Sequence, residues 1–320
     1  MNRSDLIKLL RSVPYDTLPI SDYNRRYIRR LLPVLEYYFD IYERALPSVG
    51  REKLTMVDYG GGHGFFSFFA KSKGVGQVVY VDINPDSVAT AQAVSDYLAQ
   101  YEIAPDVVLR GDSQDLRLWC EQEEVRPDWV MGMDVIEHVY CLDDFFGDLF
   151  SLSNEMKLVF TTASNPHNRR VVRRLRKVMK KDEALFCNQR RAFVKERFPQ
   201  LSEDELDYWA TNTRGLDFND VLRAVESETP NLLRDRYNTC DPVTSSWTER
   251  ILPLDDYANI AQSYNYRLSV ENGFYNAANT GLKGWVQRLY NRSLAKNRCR
   301  SKAPFLYLRF ESQNNNSRHL

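Results

Sequence analysis

The chain has few of the residues that would indicate a disulfide framework or a cysteine metal site. Its five cysteines are odd in number and widely spaced, with no C-x-x-C pair, so we expect free thiols. No apolar run approaches the ~20 residues of a membrane span, and the start, Met1 to Asp5, has no signal-peptide pattern. We therefore expect a cytoplasmic protein without a membrane span, although contact with a membrane surface stays open.

An excess of charge of one sign is also absent. The 320 residues contain 43 basic and 43 acidic side chains, and 43% are hydrophobic. This composition is ordinary for a globular protein with one large core, or a core plus an insertion. The neutral charge and the lack of a recognisable RNA-binding module count against a nucleic-acid partner.

One short segment, Val57–Ser67, reads as a buried strand that breaks into a glycine turn and restarts as a helix. Its G-x-G-x-G spacing lets the backbone take positive φ and approach a ligand with no Cβ in the way. The dinucleotide fingerprint G-x-G-x-x-G fails, because Phe65 or Ser67 stands where its third glycine is needed. The turn therefore indicates a nucleotide-type ligand but disfavours an NAD-dependent oxidoreductase.

Further apolar runs follow, and the second to the fourth each contain an acid at or near their end. The second, Gln77–Asp82, precedes a helical stretch from about Ser87 to Tyr101. An acid at that position can accept hydrogen bonds from both hydroxyls of a ribose. The third run is Asp106–Ser113, the fourth is Asp128–His138, and Lys157–Ser164 is the fifth.

Together these motifs resemble the class I S-adenosylmethionine-dependent methyltransferases. The fourth run is similar to that of the small-molecule branch typified by ubiquinone-biosynthesis O-methyltransferases. The resemblance covers residues 52–164 and 247–312, and implies an α/β fold with a doubly wound, mostly parallel seven-stranded sheet. It implies S-adenosyl-L-methionine as cofactor, with contacts from Asp58, Gly60, Gly62, Gly64, Asp82, Ile83, Asp112, Ser113 and Asp134.

The chain divides into five parts on this interpretation. Residues 1–50 are expected to be helical, with a kink or break at Pro33, and residues 51–164 form the cofactor-binding core with strands one to five. Residues 165–246 are a helical insertion, longer than a connection requires, which is expected to build the substrate region. Residues 247–312 complete the core with strand six, Tyr266–Phe274, and strand seven, Pro304–Glu311. The polar tail 313–320 is expected to be disordered.

Three of the four histidines, His63, His138 and His167, follow the predicted strands one, four and five. Ligands bind outside the carboxyl ends of such strands, so the three imidazoles could face one pocket. His138 or His167 is the candidate general base for methylation of a hydroxyl, and His63 is expected to shape the turn or orient the substrate. We predict no metal, with a divalent cation held by Glu137, His138 and Asp143 or Asp144 as the alternative.

The segment Asn168–Lys181, directly after strand five, contains many cations and no acid. They are Arg169, Arg170, Arg173, Arg174, Arg176, Lys177, Lys180 and Lys181. A basic helix beside the crevice predicts an anionic substrate, either a small molecule or a glycan. A nucleic acid, an anionic membrane surface or simply a solvated helix face are the alternatives.

The predicted activity is methyl transfer to oxygen. Methyltransferases that act on the amino groups of nucleic-acid bases typically carry N-P-P-Y or D-P-P-Y after strand four, whereas this chain has Asp134-Val135-Ile136-Glu137. Two alternatives remain: an RNA or protein methyltransferase, and a catalytically inactive protein that binds the cofactor or a partner. The sequence makes no prediction of oligomeric state.

Overall fold

The computed structural model describes residues 1–231 and 235–313. Its main sheet has seven strands in the order β3-β2-β1-β4-β5-β9-β8. The strands are β1 (Thr55–Tyr59), β2 (Gln77–Asp82), β3 (Val107–Arg110), β4 (Trp129–Met133), β5 (Lys157–Thr162), β6 (Cys240–Asp241), β7 (Ser246–Trp247), β8 (Tyr266–Asn272) and β9 (Leu306–Ser312). The helices are α1 (Arg3–Ser12), α2 (Asp22–Leu31), α3 (Leu35–Ala45), α4 (Phe65–Ser72), α5 (Pro85–Leu98), α6 (Ser113–Gln122), α7 (Leu142–Leu152), α8 (Arg169–Arg197), α9 (Glu203–Asn212), α10 (Phe218–Glu226), α11 (Leu254–Ser263) and α12 (Gly281–Leu294).

The topology confirms the predicted fold class. Strands β1 to β5 pair in parallel, and β9 lies antiparallel between β5 and β8. The chain reverses its direction across the sheet after β3, so β1 and β4 are neighbours in space. The carboxyl ends of β1 and β4 therefore open onto the crevice where ligands bind in such sheets.

Helices cover both faces of the sheet, which explains the near-continuous apolar character of its strands. Val78 packs into a core with α4, α5 and the N-terminal helices, whereas Val79 and Val81 pack on the other face with α6 and α7. All three side chains are fully buried.

The N-terminal fifty residues form helices, as predicted. Pro33 lies in a one-turn 3₁₀ segment that separates α2 from α3. Asn24 on α2 donates from Nδ2 to the Asp86 carbonyl and to Thr90 Oγ1, both on α5. Helix α2 therefore lies against α5, the helix that follows β2.

The insertion differs from its prediction in one respect. Helices α8 to α10 form as expected and share a small core of Val194, Leu206, Trp209, Val221 and Val225. The predicted helical segment 165–246 also contains β6, and β7 begins within it; these two strands pair as a short antiparallel hairpin. Two-residue strands carry no detectable alternation of polar and apolar residues, so the sequence pattern did not indicate them.

Three further expectations concern the cysteines, a membrane span and the C-terminal tail. All five cysteines are free. In the part of the chain that the structure describes, no helix is long and apolar enough to cross a membrane. From residue 314 onward the predicted disordered tail lies outside the described residues.

Candidate active site

The turn between β1 and α4 takes a conformation that requires glycine. Gly60, Gly62 and Gly64 have φ of 66°, 55° and 77°. A Cβ at Gly60 would lie 2.5 Å from Val135 Cγ2, so the turn packs directly against the loop after β4. A larger residue at Gly60 would therefore combine backbone strain with a steric clash.

Asp58, a predicted cofactor contact, lies behind this turn. It is 1% exposed and accepts hydrogen bonds from Ser67 N at 3.1 Å and Ser67 Oγ at 2.6 Å. Burial raises its pKa to about 7, although the Ser67 bonds oppose the shift. The role of Asp58 in this geometry is structural, because it connects the end of β1 to the first turn of α4.

Asp82 at the end of β2 holds the turn from the other side. Its Oδ2 accepts from Gly62 N at 2.9 Å and its Oδ1 from Asn84 N at 2.8 Å. Beneath the turn, the Tyr80 hydroxyl donates to the Gly62 carbonyl at 2.7 Å. Burial raises the pKa of Asp82, and the two backbone donors lower it. Each carboxylate oxygen can accept a second hydrogen bond, so Asp82 can hold the turn and still contact a ligand.

A cavity of about 460 Å³ opens at the carboxyl ends of β1 to β4. This volume lies in the range of small-molecule sites, about 300–1,000 Å³. Six predicted cofactor residues line it, namely Gly60, Asp82, Ile83, Asp112, Ser113 and Asp134, together with the catalytic candidate His138. The tertiary structure thus brings the acids that end β2, β3 and β4 to one place.

Asp112 and Ser113 line this cavity at the start of α6. Asp112 Oδ1 caps the helix by accepting from Gln114 N at 2.9 Å and Asp115 N at 3.1 Å. Ser113 Oγ donates to Asp148 Oδ2 on α7 at 2.8 Å. These bonds fix the wall of the cavity next to β3.

The segment after β4 concentrates negative charge. Asp134 has a left-handed backbone with φ of 49° and accepts from Thr161 Oγ1 at 3.2 Å. Asp134 is exposed where it faces the cavity. Its pKa is raised, first by burial and then by the like charge of Glu249, while His138 lowers it.

Glu137 is the most enclosed acid of this segment. It is 1% exposed, and its Oε1 accepts from Ala163 N at 2.9 Å. Burial, followed by the charge of Asp134, raises its pKa well above the ordinary value. Glu137 Oε2 and Glu249 Oε2 are both buried without a hydrogen-bond partner among the described residues.

His138 is held in a defined tautomer. Its Nδ1 lies 2.8 Å from the Trp247 carbonyl oxygen. Because a carbonyl only accepts hydrogen bonds, Nδ1 carries the proton, and in the neutral ring the free lone pair is on Nε2. A proton-accepting nitrogen thus belongs to a side chain that lines the cavity.

The other two histidines lie elsewhere, so the three imidazoles do not line one cavity. His63 stacks on Tyr27 of α2, with ring centroids 4.8 Å apart, and its Nε2 is buried without a partner among the described residues. Burial lowers the pKa of His63 to about 4. His167 is exposed and lines a separate pocket with Asp235, Pro253 and Leu254.

The sequence did not reveal the part that the hairpin plays. Thr244, Ser245 and Ser246, between and within β6 and β7, line the cavity. Trp247 N donates to the His138 carbonyl at 3.1 Å, and Trp247 Nε1 donates to the Tyr140 carbonyl at 3.0 Å. These contacts join segments more than a hundred residues apart, and no local pattern signals them.

The alternative metal site is not formed. Across residues 1–231 and 235–313, no group of three or more histidine, cysteine, aspartate or glutamate side chains is arranged to hold a metal ion. Glu137 Oε1 is directed to the Ala163 amide instead.

Comparison with known proteins found no matching family model and no matching curated protein. Among solved structures, the magnesium protoporphyrin IX methyltransferase of Synechocystis PCC 6803 is 13% identical, covers 97% of this chain and 94% of its own, and has a TM-score of 0.42. An O-methyltransferase family protein from Burkholderia thailandensis is 11% identical over 91% of this chain and 60% of its own, with a TM-score of 0.43.

A third match is the ribosomal protein L11 methylase of Lactobacillus delbrueckii subsp. bulgaricus. It is 25% identical over 38% of this chain, with a TM-score of 0.28, and the match spans about half (54%) of that enzyme. These scores are too low to bear on activity or substrate. An inference about the activity of this chain therefore rests on its own strand order and site geometry.

Proposed function

We propose that the protein is an S-adenosylmethionine-dependent methyltransferase that methylates oxygen. The observation that supports this most is the 460 Å³ cavity where the acids ending β2, β3 and β4 meet beside the glycine turn. The cofactor, when bound there, supplies a methyl group on a positively charged sulfonium. The residues of the chain would bind and orient it and would manage the proton of the acceptor.

The cavity suits the parts of this cofactor. Asp82 keeps lone pairs for a ribose diol, and the exposed Ile83 offers an apolar surface to a flat base. Asp112 and Ser113 present polar groups where β3 ends. Because β3 pairs beside β2, these polar and apolar groups lie near one another at the carboxyl ends of the two strands.

The negative region after β4 suits the positive end of the cofactor. Asp134, Glu137 and Glu249 repel one another, which is part of the reason why the pKa values of Asp134 and Glu137 are raised. Glu137 Oε2 and Glu249 Oε2 are buried there without a hydrogen-bond partner among the described residues, which supports the proposal. A sulfonium or an ammonium group would relieve that repulsion.

His138 is the proposed general base. Its Nδ1–H is anchored on the Trp247 carbonyl, so Nε2 can take the hydroxyl proton as the methyl group transfers. His63 is a poorer candidate because its pKa of about 4 makes it a weak base. His167 lies in another pocket.

The proposed acceptor is a small molecule or glycan that bears negative charge. The uncompensated cations at the start of α8 support this, since α8 begins just beyond the carboxyl end of β5. The cavity itself is lined by acids, including Asp144 and Asp148. The acceptor hydroxyl would therefore enter the cavity while its anionic part stays outside, towards α8.

The test is calorimetric titration of S-adenosylhomocysteine and of NAD into the wild type, Asp82→Ala and the control Asp86→Ala. Asp86 is an exposed carboxylate four residues further along the chain, outside the cavity lining. We expect the wild type and the control to bind S-adenosylhomocysteine alike, and Asp82→Ala to bind at least tenfold more weakly, or about 1.4 kcal/mol.

A second variant separates ligand contact from support of the glycine turn, because Asp82 also holds Gly62. Ile83→Ser changes a side chain that is 65% exposed, so the fold should be unaffected while binding weakens. If the wild type binds no S-adenosylhomocysteine, or binds NAD instead, the methyltransferase proposal is wrong.

A further inference from the structure

A groove of about 850 Å³ lies between α8 and the segments after α9 and before β6. Among the residues that the structure describes, seven cationic side chains and one acid line it. The cations are Arg169, Arg173, Arg176, Lys177, Lys180, Arg214 and Arg236, and the acid is Glu183. Glu183 is already bound by Arg190 at 2.6 Å, so it contributes little towards neutralising the other seven.

Among the described residues, these cations make no salt bridge. The two halves of α8 differ in this respect, although both are rich in cations. In the second half of α8, Arg190, Arg191 and Lys195 all pair with acids, the latter two with Glu203 of α9. In the first half, none of the groove cations pairs with an acid within residues 1–231 and 235–313. The fold thus compensates one end of α8 and leaves the other end positive.

The placement of the cations also works against the helix itself. The first turn of α8 contains arginine and no acid, although the positive end of the helix dipole favours acids there. Along the helix, Arg169, Arg173, Arg176 and Lys180 recur on one face over about 16 Å, taking 1.5 Å per residue. The repulsion among these cations and the positive end of the α8 dipole both favour an anion in the groove.

The chemistry of the lining favours phosphoryl groups. Five of the seven cations are arginines, whose planar guanidinium binds phosphate oxygens in pairs. A single carboxylate would engage one or two of them, whereas linked phosphoryl groups present enough acceptor oxygens for several.

A nucleic acid fits less well. Tyr237 is the single aromatic among the described lining residues, and Arg176 already covers its ring at 3.7 Å from the centroid. Among its described lining residues, the groove therefore lacks the row of aromatic rings on which successive bases stack.

We propose that this groove binds a multiply charged phosphoryl group, such as a pyrophosphate ester, carried by the acceptor. The assignment to the acceptor rests on the proposed methyltransferase function. The position of the groove supports this assignment. Pro166 and Arg169 lie at one end of the groove and follow the carboxyl end of β5. The same chemistry could come from a soluble ester or from a lipid headgroup.

The experiment measures binding of sodium tripolyphosphate by calorimetry at two salt concentrations. The test variant is Arg173→Ala with Lys180→Ala, which removes two groove cations that make no salt bridge. The control is Arg174→Ala with Lys181→Ala, which has the same residue types and charge change one position further along α8, outside the groove lining. We expect the test variant to bind at least tenfold more weakly and the control to stay within twofold of the wild type.

Each result decides the matter. Equal weakening in both variants would mean diffuse attraction without a site, and no binding of tripolyphosphate to the folded wild type would overturn the proposal. A single-stranded oligouridylate that binds more tightly than tripolyphosphate, and more so with length, would replace it with RNA binding. Vesicles containing phosphatidic acid that compete at equal phosphate concentration would identify a lipid source; failure to compete would identify a soluble one.

S-adenosylhomocysteine binding, measured on the same samples, separates the two proposals. If it binds while tripolyphosphate does not, only the groove assignment fails. If tripolyphosphate binds selectively while S-adenosylhomocysteine does not, the groove is a phosphoryl site but the methyltransferase function fails.

Discussion

At the scale of single residues, hydrogen bonding selects one histidine out of three that look equivalent along the chain. The Trp247 carbonyl fixes the His138 ring with Nε2 as the acceptor, whereas His63 is stacked on Tyr27 and His167 is exposed. A base must reach the acceptor in a productive geometry, and only His138 of these three lines the cavity.

His138→Ala should lower turnover by about 10²- to 10⁴-fold, because general-base catalysis typically contributes that much. S-adenosylhomocysteine affinity should change little. His138→Asn keeps a donor for the Trp247 carbonyl but no base, so it should be as slow as the alanine variant; His167→Ala should match the wild type. Transfer of a labelled methyl group to an acceptor found by screening anionic sugars and phenols is the measurement. Full activity in His138→Asn would contradict the general-base role, because asparagine can donate to the Trp247 carbonyl but cannot take the proton.

At the scale of elements, the hairpin of β6 and β7 organises the loop that follows β4. Trp247 is 5% exposed, and its ring lies over Tyr140 and beneath Arg250. With the backbone bonds to His138, these contacts hold both the catalytic candidate and the cavity wall.

Trp247→Phe should lower the free energy of unfolding by about 1 kcal/mol, since it keeps most of the ring and loses the bond to the Tyr140 carbonyl. Trp247→Ala should cost about 3–5 kcal/mol, because it removes a large buried side chain. Urea unfolding followed by circular dichroism measures both changes. The matched control is Trp285→Phe, which alters a side chain 55% exposed; an equal effect there would contradict the role given to Trp247.

At the scale of the whole molecule, buried carboxyls near the carboxyl ends of the parallel strands should make stability depend on pH. Asp58 and Glu137 are buried, and burial is the largest cause of their raised pKa values. The unfolded chain releases such a proton at a lower pH than the folded protein does. Rising pH therefore favours the unfolded state, and the stability present at low pH is lost as pH approaches the folded pKa.

Asp58→Asn should reduce this loss between pH 4.5 and 7, because the folded pKa of Asp58 is about 7 and its ordinary value is 3.8. The difference in unfolding free energy between the wild type and the variant should change by up to about 1.4 kcal/mol per pH unit, the wild type losing more as pH rises. Thermal unfolding across this window, with the exposed Asp86→Asn as control, measures it. Parallel curves for the wild type and Asp58→Asn would refute the assignment.

Local sequence patterns predicted the strands of the core and their order along the chain. The run Gln77–Asp82 coincides with β2, and the expected strands one, three, four and five lie within a few residues of those observed. Buried parallel strands need apolar runs, and a strand that turns into a helix at close quarters needs glycine. These requirements act over a few residues, so the sequence alone indicated the strands, the glycine turn and the acids that follow the strands, and the resemblance of these motifs to a known family implied the fold.

The tertiary structure alone decided what those residues face. It turned Asp58 towards Ser67, separated His167 from the cavity, and brought Trp247 to His138. It also paired the cations at one end of α8 and left those at the other end without acids. Such outcomes depend on contacts between segments far apart in the chain, and neither spacing nor composition encodes them in a local pattern.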